Sequence, residues 1–261
     1  MEKIISVQNP KIKQFSKLVS SSKERKKSGE FVLEGVRLCR DAALSGVVIR
    51  EAFFTADAYA KNTEDIDFIV TEADASYEIS EEVAKKISDT QTSQGVFLRC
   101  ENTKNETELS SFSPDGKYIV LENLQDPSNL GAIARTAEAL GIDGAVLVSC
   151  CDVFNPKAQR SAMGSLFRLP FVRINDVEEM FSFAREKNIK TVATVVDSSA
   201  EKINETDLSG GVFLIIGNEG NGIQKSTADK CDLRVTIPML GRAESLNASM
   251  AACIAMWEVL R

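Results

Sequence analysis

The chain has 261 residues, 43% of them hydrophobic and 26% charged, with a net charge of −7. That composition belongs to a globular protein rather than a disordered one, and no apolar run approaches the roughly 18 residues that span a bilayer. The absence of histidine excludes Ser-His-Asp and Cys-His catalysis and any histidine general base.

The N-terminal Met-Glu-Lys-Ile-Ile-Ser-Val-Gln-Asn-Pro lacks an apolar signal core, so a cytoplasmic protein is expected. Its six cysteines, Cys39, Cys100, Cys150, Cys151, Cys231 and Cys253, form no CxxC pair. Reduced thiols and no metal site are expected. Charge is unevenly spread. Residues 1–30 hold eight basic side chains against three acidic ones, a usable phosphate-binding patch on an acidic protein. The plain alternative is a solvated lysine-rich helix face.

In chain order, residues 9–20 predict a helix with Ile12, Phe15, Leu18 and Val19 on one face. Residues 20–29 read as a polar loop or fraying end. A strand at 31–35, a helix at 36–45 ended by Gly46, a strand at 47–55 and a short helix near 56–61 follow. A third strand is expected at Phe68-Ile69-Val70, then a capped helix at 80–88 and a strand at 95–100. Alternating strands and helices over about 100 residues imply a small α/β domain. The polar residues 101–116 make the best linker. The expected division is 1–105, a linker at 106–116, and 117–261.

The second half restarts with a strand at 118–122, a loop at 123–129 and a helix from Leu130 to Leu140. Strands at 145–148, 191–196, 212–216 and 233–237, a helix at 177–188 and a helix running to the C-terminus follow. Near-continuous apolar strands separated by helices predict a parallel sheet covered on both faces. In such sheets ligands bind outside the carboxyl ends of the strands. Three loops there are rich in functional groups. Asn129 ends the first loop and Arg135 lies one to two turns into the helix that follows; six residues apart, they share no helix face and converge only if Asn129 sits before the helix, in the loop. Gly217-Asn218-Glu219-Gly220-Asn221-Gly222 follows a buried strand and permits close backbone approach, although its spacing is neither a dinucleotide fingerprint nor a P-loop. Arg242, Glu244, Ser245 and Asn247 precede a helix of small residues, as in a shaped pocket floor; on this stretch alone an ordinary N-cap by Ser245 or Asn247 before a core helix is the favoured reading. Asn155–Pro170 adds Lys157, Arg160 and Arg168, with a surface helix cap as the alternative.

Taken together, Asn129-Leu130-Gly131-Ala132-Ile133-Ala134-Arg135-Thr136, Ile216-Gly217-Asn218-Glu219-Gly220, and Ile237-Pro238-Met239 with Glu244-Ser245-Leu246-Asn247-Ala248-Ser249 resemble the TrmH/SpoU family of RNA 2′-O-ribose methyltransferases, of the SPOUT superfamily. The resemblance is strong over 116–261. The first 100 residues more weakly resemble an L30e-like RNA-binding domain. The resemblance implies a deep trefoil knot in the C-terminal parallel-sheet domain, a homodimer, and S-adenosylmethionine bound against Gly217, Asn218, Ile237 and Leu246. It assigns the central catalytic role to Arg135, with Asn129, Glu219, Ser245 and Asn247 positioning the reacting groups. Lys11, Lys13, Arg25, Lys26 and Lys27 would then hold RNA by its phosphates. Ribosomal RNA, the 23S species, is favoured, because the separate N-terminal domain resembles that branch, including the thiostrepton-resistance type. Transfer RNA is the alternative, and a non-catalytic RNA-binding protein is a third reading. A nicotinamide-dependent oxidoreductase would need G-x-G-x-x-G, and Asn123–Asn129 contains no glycine.

Overall fold

The computed structural model describes residues 2–101 and 105–261. The chain divides into two compact units, one formed by Met1–Lys104 with Phe154–Phe167, the other by Asn105–Val153 with Arg168–Arg261.

The first unit runs β1 (Glu2–Ile4), α1 (Pro10–Ser20), α2 (Ser22–Ser28), β2 (Glu30–Glu34), α3 (Val36–Leu44), β3 (Ile49–Thr55), α4 (Ala56–Lys61), α5 (Thr63–Glu72), β4 (Ser76–Ile79), α6 (Glu81–Ile87) and β5 (Val96–Glu101). Its sheet has the order β1-β4-β3-β5-β2, with β5 antiparallel to both neighbours. Helix α1 forms because the Asn9 side chain caps the Lys11 amide at 2.9 Å and Pro10 pre-sets the first turn. It buries Ile12, Phe15 and Leu18, and Phe15 meets Phe53 and Phe97 edge-on at 5.7 and 5.9 Å.

Two expectations are corrected here. Residues 22–28 are a helix, not a loop: the Ser21 hydroxyl accepts from the Glu24 amide, and Gly29 ends the helix at φ +69°. Phe68-Ile69-Val70 lies inside α5, where Ile66 and Ile69 are buried at helical spacing behind Glu64 and Asp65 in the first turn. The strand of that region is β4, eight residues later; neither it nor β1 was legible.

The second unit holds β6 (Lys117–Glu122), α7 (Pro127–Leu140) and β7 (Gly144–Val148). After α8 (Pro156–Ala162), which groups with the first unit, come β8 (Phe171–Ile174), α9 (Val177–Lys187), β9 (Lys190–Thr194), β10 (Glu201–Lys202), β11 (Val212–Ile216), α10 (Lys225–Ala228), β12 (Leu233–Thr236) and α11 (Ala248–Val259). The seven-stranded sheet has the order β10-β12-β9-β11-β6-β7-β8, parallel throughout. Every residue of β7 and β11 is buried, which is why these strands lack alternation. The short strands β8 and β10 were not anticipated.

The domain boundaries also differ from those expected. Phe154 and Phe167 pack on Phe31, with ring centroids at 5.0 and 6.4 Å, which draws 154–167 into the first unit. Residues 102–104 of the expected linker lie outside the described residues. From Asn105 onward the chain is already part of the second unit: Phe112 is buried and stacks on Tyr118 at 4.1 Å.

Candidate active site

The carboxyl ends of β6 and β11 bring two loops together. After β6 the chain turns at Asn123, which adopts φ +55°, a conformation asparagine tolerates. Asp126 then caps α7 by accepting from the Ser128 amide at 2.9 Å. Asn129 therefore sits in the first helical turn, 8% exposed, and not in the loop. Arg135 follows six residues on, about 240° around the helix. The two side chains do not converge, as they would with Asn129 in the loop. Arg135 is exposed and holds no hydrogen bond or ion pair among the described residues.

After β11 the loop is closed on itself. Asn218 and Gly222 exchange backbone hydrogen bonds of 3.0 and 2.9 Å. A Cβ added at Gly217 would lie 2.0 Å from the Gly222 carbonyl carbon, so only glycine fits. Asn218 braces the turn: its side-chain oxygen accepts from the Gly220 and Asn221 amides, and its Nδ2 donates to the Asn123 carbonyl at 2.8 Å.

Glu219 reaches from this loop to the other. Its Oε1 accepts from Asn129 Nδ2 and from the Asp126 amide, both at 3.0 Å, and its Oε2 accepts from the Gln125 amide at 3.2 Å. Burial pushes the Glu219 carboxyl up, but hydrogen bonds from Asn129, Asp126, its own backbone and Gln125 outweigh it and hold the group below the usual glutamate value. With its Nδ2 given to Glu219, Asn129 offers its oxygen to Asn247 Nδ2 at 3.2 Å. Asn247 in turn caps α11, accepting from the Ser249 amide and hydroxyl at 2.9 and 2.6 Å. A chain Glu219–Asn129–Asn247 thus joins the loop after β11, the first turn of α7 and the cap of α11 through fixed donors and acceptors.

Beside it lies a cavity of about 80 Å³ lined by Thr194, Val195, Val196, Thr236, Ile237, Met239, Glu244, Ser245, Leu246 and Ala251. Of the expected cofactor residues, Ile237 and Leu246 line it; Gly217 and Asn218 do not. Ser245 lines it too, rather than joining the asparagine chain. A lining of aliphatic side chains with three hydroxyls and one carboxylate suits a ligand that has an apolar part and polar, cationic substituents. Thr194, Val195 and Thr236 were not anticipated, nor were the Gln125 and Asp126 amides, since a backbone donor leaves no trace in the residue names. Among the described residues no group of three or more metal-ligating side chains is found, and no helix is long and apolar enough to cross a membrane.

The basic patch of the first unit is only partly as expected. Arg25 is 3% exposed and donates to the Leu18 and Val19 carbonyls, so its charge ties α2 to α1 and is not presented to phosphate. Lys11 donates to the buried Glu51 at 2.6 Å and lies over the Tyr77 ring at 4.9 Å. The Glu51 hydrogen bond is the main reason its ammonium is held above the ordinary lysine value. Lys13, Lys26 and Lys27 are exposed, as are Lys17 and Lys23. Lys13 and Lys17 line a groove of about 410 Å³ together with Gln14, Leu18, Glu24 and Ser28.

Comparison with known proteins places both units. Residues 116–257 match the family described as SpoU rRNA methylase, and residues 9–98 match the MRM3-like substrate binding domain. The chain is 32% identical over 260 residues to the 23S rRNA (guanosine(2553)-2′-O)-methyltransferase RlmP of Bacillus subtilis, covering 99% of both chains. Among solved structures it resembles an AdoMet-bound rRNA methyltransferase from Sinorhizobium meliloti, with TM-score 0.87, 29% identity and coverage of 99% and 97%. It also resembles the SpoU methyltransferase AviRb from Streptomyces viridochromogenes in complex with AdoMet, with TM-score 0.86, 26% identity and coverage of 97% of each chain.

Proposed function

The chain belongs to the SpoU rRNA methylase family, and from that premise we propose that it methylates a ribose 2′-hydroxyl of ribosomal RNA, using S-adenosylmethionine. The observation that carries this reading is the Glu219–Asn129–Asn247 chain, which locks all three family motifs into one site beside a cavity of suitable chemistry. Thr194, Thr236, Ile237, Ser245 and Leu246 would hold the cofactor. When bound, S-adenosylmethionine supplies a methyl group that is already electrophilic.

The residues of the chain then have to orient the 2′-oxygen and tolerate its developing charge. Glu219, ionised and anchored by donors from Asn129, Asp126, Gln125 and Asn218, fixes Asn129 and the start of α7. Arg135 presents a free guanidinium, and a guanidinium is a poor base in proteins. It acts by binding the neighbouring phosphate and stabilising negative charge on the attacking oxygen. Arg135→Ala is expected to lose turnover while keeping cofactor affinity by calorimetry; equal loss of both would remove this role. Labelled methyl transfer to ribosomal RNA and, separately, to transfer RNA decides the substrate. The MRM3-like match and the naming of RlmP support the ribosomal class, and a cytoplasmic reaction goes with it.

The first unit grips the RNA through Lys13, Lys17, Lys26 and Lys27. The protein works as a homodimer. Met250, Ile254 and Trp257, 56%, 40% and 61% exposed, form one row on α11, an unusual apolar face for a monomer. The reading also carries a knotted C-terminus: β12 inserts between β9 and β10, strands laid down earlier in the chain.

A further inference from the structure

The loop that carries Glu219 is held at both ends by two consecutive residues of β6 and its turn. At its start, Asn218 Nδ2 donates to the Asn123 carbonyl at 2.8 Å. At its end, the Gln224 amide donates to Glu122 Oε2 at 2.8 Å, and the Thr227 hydroxyl donates to Glu122 Oε1 at 2.5 Å. Glu122 is 2% exposed and Thr227 1%. A buried carboxylate is retained only at a cost in desolvation unless it is well hydrogen-bonded, and here both oxygens are used on one short segment. Asn123 reaches its carbonyl toward the loop because of its left-handed backbone at φ +55°.

We infer that Glu122 is a positioning residue for methyl transfer: with the Asn123 carbonyl it clamps residues 218–224 so that Glu219 meets Asn129 and the Gln125 and Asp126 amides. Glu122 is buried and acts through Glu219. This inference rests on the methyltransferase reading for its kinetic arm and on geometry alone for its structural arm.

Three variants test it in the full chain. Glu122→Ala removes both acceptors, Thr227→Val removes one donor, and Glu122→Gln can accept from the Gln224 amide while donating to Thr227. Amide hydrogen exchange is followed in peptides covering 123–128 and 217–224, alongside kcat for labelled methyl transfer. Glu122→Ala is expected to speed exchange in both peptides, leave that of β7 and β11 unchanged, and lower kcat by about tenfold or more. Thr227→Val gives a smaller change of the same kind and serves if Glu122→Ala does not fold. Glu122→Gln rescues both readouts to within about threefold of the parent. Unchanged exchange at 123–128 in Glu122→Ala or Thr227→Val, or a loss in Glu122→Gln equal to that in Glu122→Ala, would overturn the inference. A parent chain inactive on every RNA would instead sink the functional reading and leave the exchange result to judge the clamp.

Discussion

Gly217→Ala is a severe perturbation of the site, because the single added methyl group meets the backbone of Gly222 and Ile223. The added Cβ would stand 2.0 Å from the Gly222 carbonyl carbon, 2.1 Å from the Ile223 nitrogen and 2.3 Å from the Gly222 oxygen. Carbon atoms pack at about 3.5–4.0 Å, so the loop must open by more than about 1 Å, and no side-chain rotation relieves it. Overpacking of this kind costs about 1–3 kcal/mol, which lowers the melting temperature by roughly 2–4 °C per kcal/mol in a chain of this size. Glu219 lies two residues along, and its contacts at 3.0–3.2 Å do not survive such a shift. Hydrogen bonds to a charged group contribute about 1.5–3 kcal/mol, so methyl transfer is expected to fall by about 10- to 150-fold. Labelled methyl transfer at saturating cofactor, paired with calorimetric unfolding, measures both effects. A Gly217→Ala protein within about twofold of the parent rate and about 1 °C of its melting temperature would refute the reasoning.

Other outcomes follow from the same contacts. Glu219 titrates lower in the folded chain than in the unfolded one, so its stabilising contribution is complete above the unfolded glutamate value of about 4.3 and is lost as pH falls through the folded value. Titration of Glu219 should therefore change neither stability nor turnover between about pH 5 and 8; an acidic limb near neutrality that disappears in Glu219→Gln would contradict this. Neutralising Lys13, Lys17, Lys26 and Lys27 together should flatten the salt dependence of RNA binding by about 3 in log-log slope. Arg25→Met, whose guanidinium is spent on the Leu18 and Val19 carbonyls, should leave that slope alone and lower the melting temperature. Trp257→Glu should shift the protein to monomer in light scattering after gel filtration, and an unchanged oligomer would place the interface elsewhere.

The second sheet was legible because β6, β7 and β11 are buried on both faces and show it as unbroken apolar runs. In the first unit the reading erred where side-chain chemistry competes with length. Phe68-Ile69-Val70 has strand composition, yet Asp65, Ile66 and Ile69 already carry a helical register. The seven residues 22–28 all carry polar side chains behind a Ser21 cap, and their helix is fixed by one buried arginine that composition marks as a surface charge. The site residues themselves were named from motif resemblance. What could not be read was their wiring: which amide oxygen faces which nitrogen, that Asn129 and Arg135 point apart, and that two backbone amides complete the Glu219 shell. Those depend on where α7 begins, and Pro127 with the Asp126 cap decides that one turn earlier than hydrophobic spacing does.

The segment Phe154–Phe167 has a bearing on how the protein is born. During synthesis, residue 104 is joined to the chain about 3–12 s before residue 167, at ordinary elongation rates. Throughout that interval Phe31 lacks the rings of Phe154 and Phe167 that later cover it. The first unit, although first in the message, is therefore finished only after β6, α7 and β7 have been translated. A nascent chain cannot complete that unit until it has also made the helix that bears Arg135, so under the proposed function the parts assigned to recognition and to catalysis mature together.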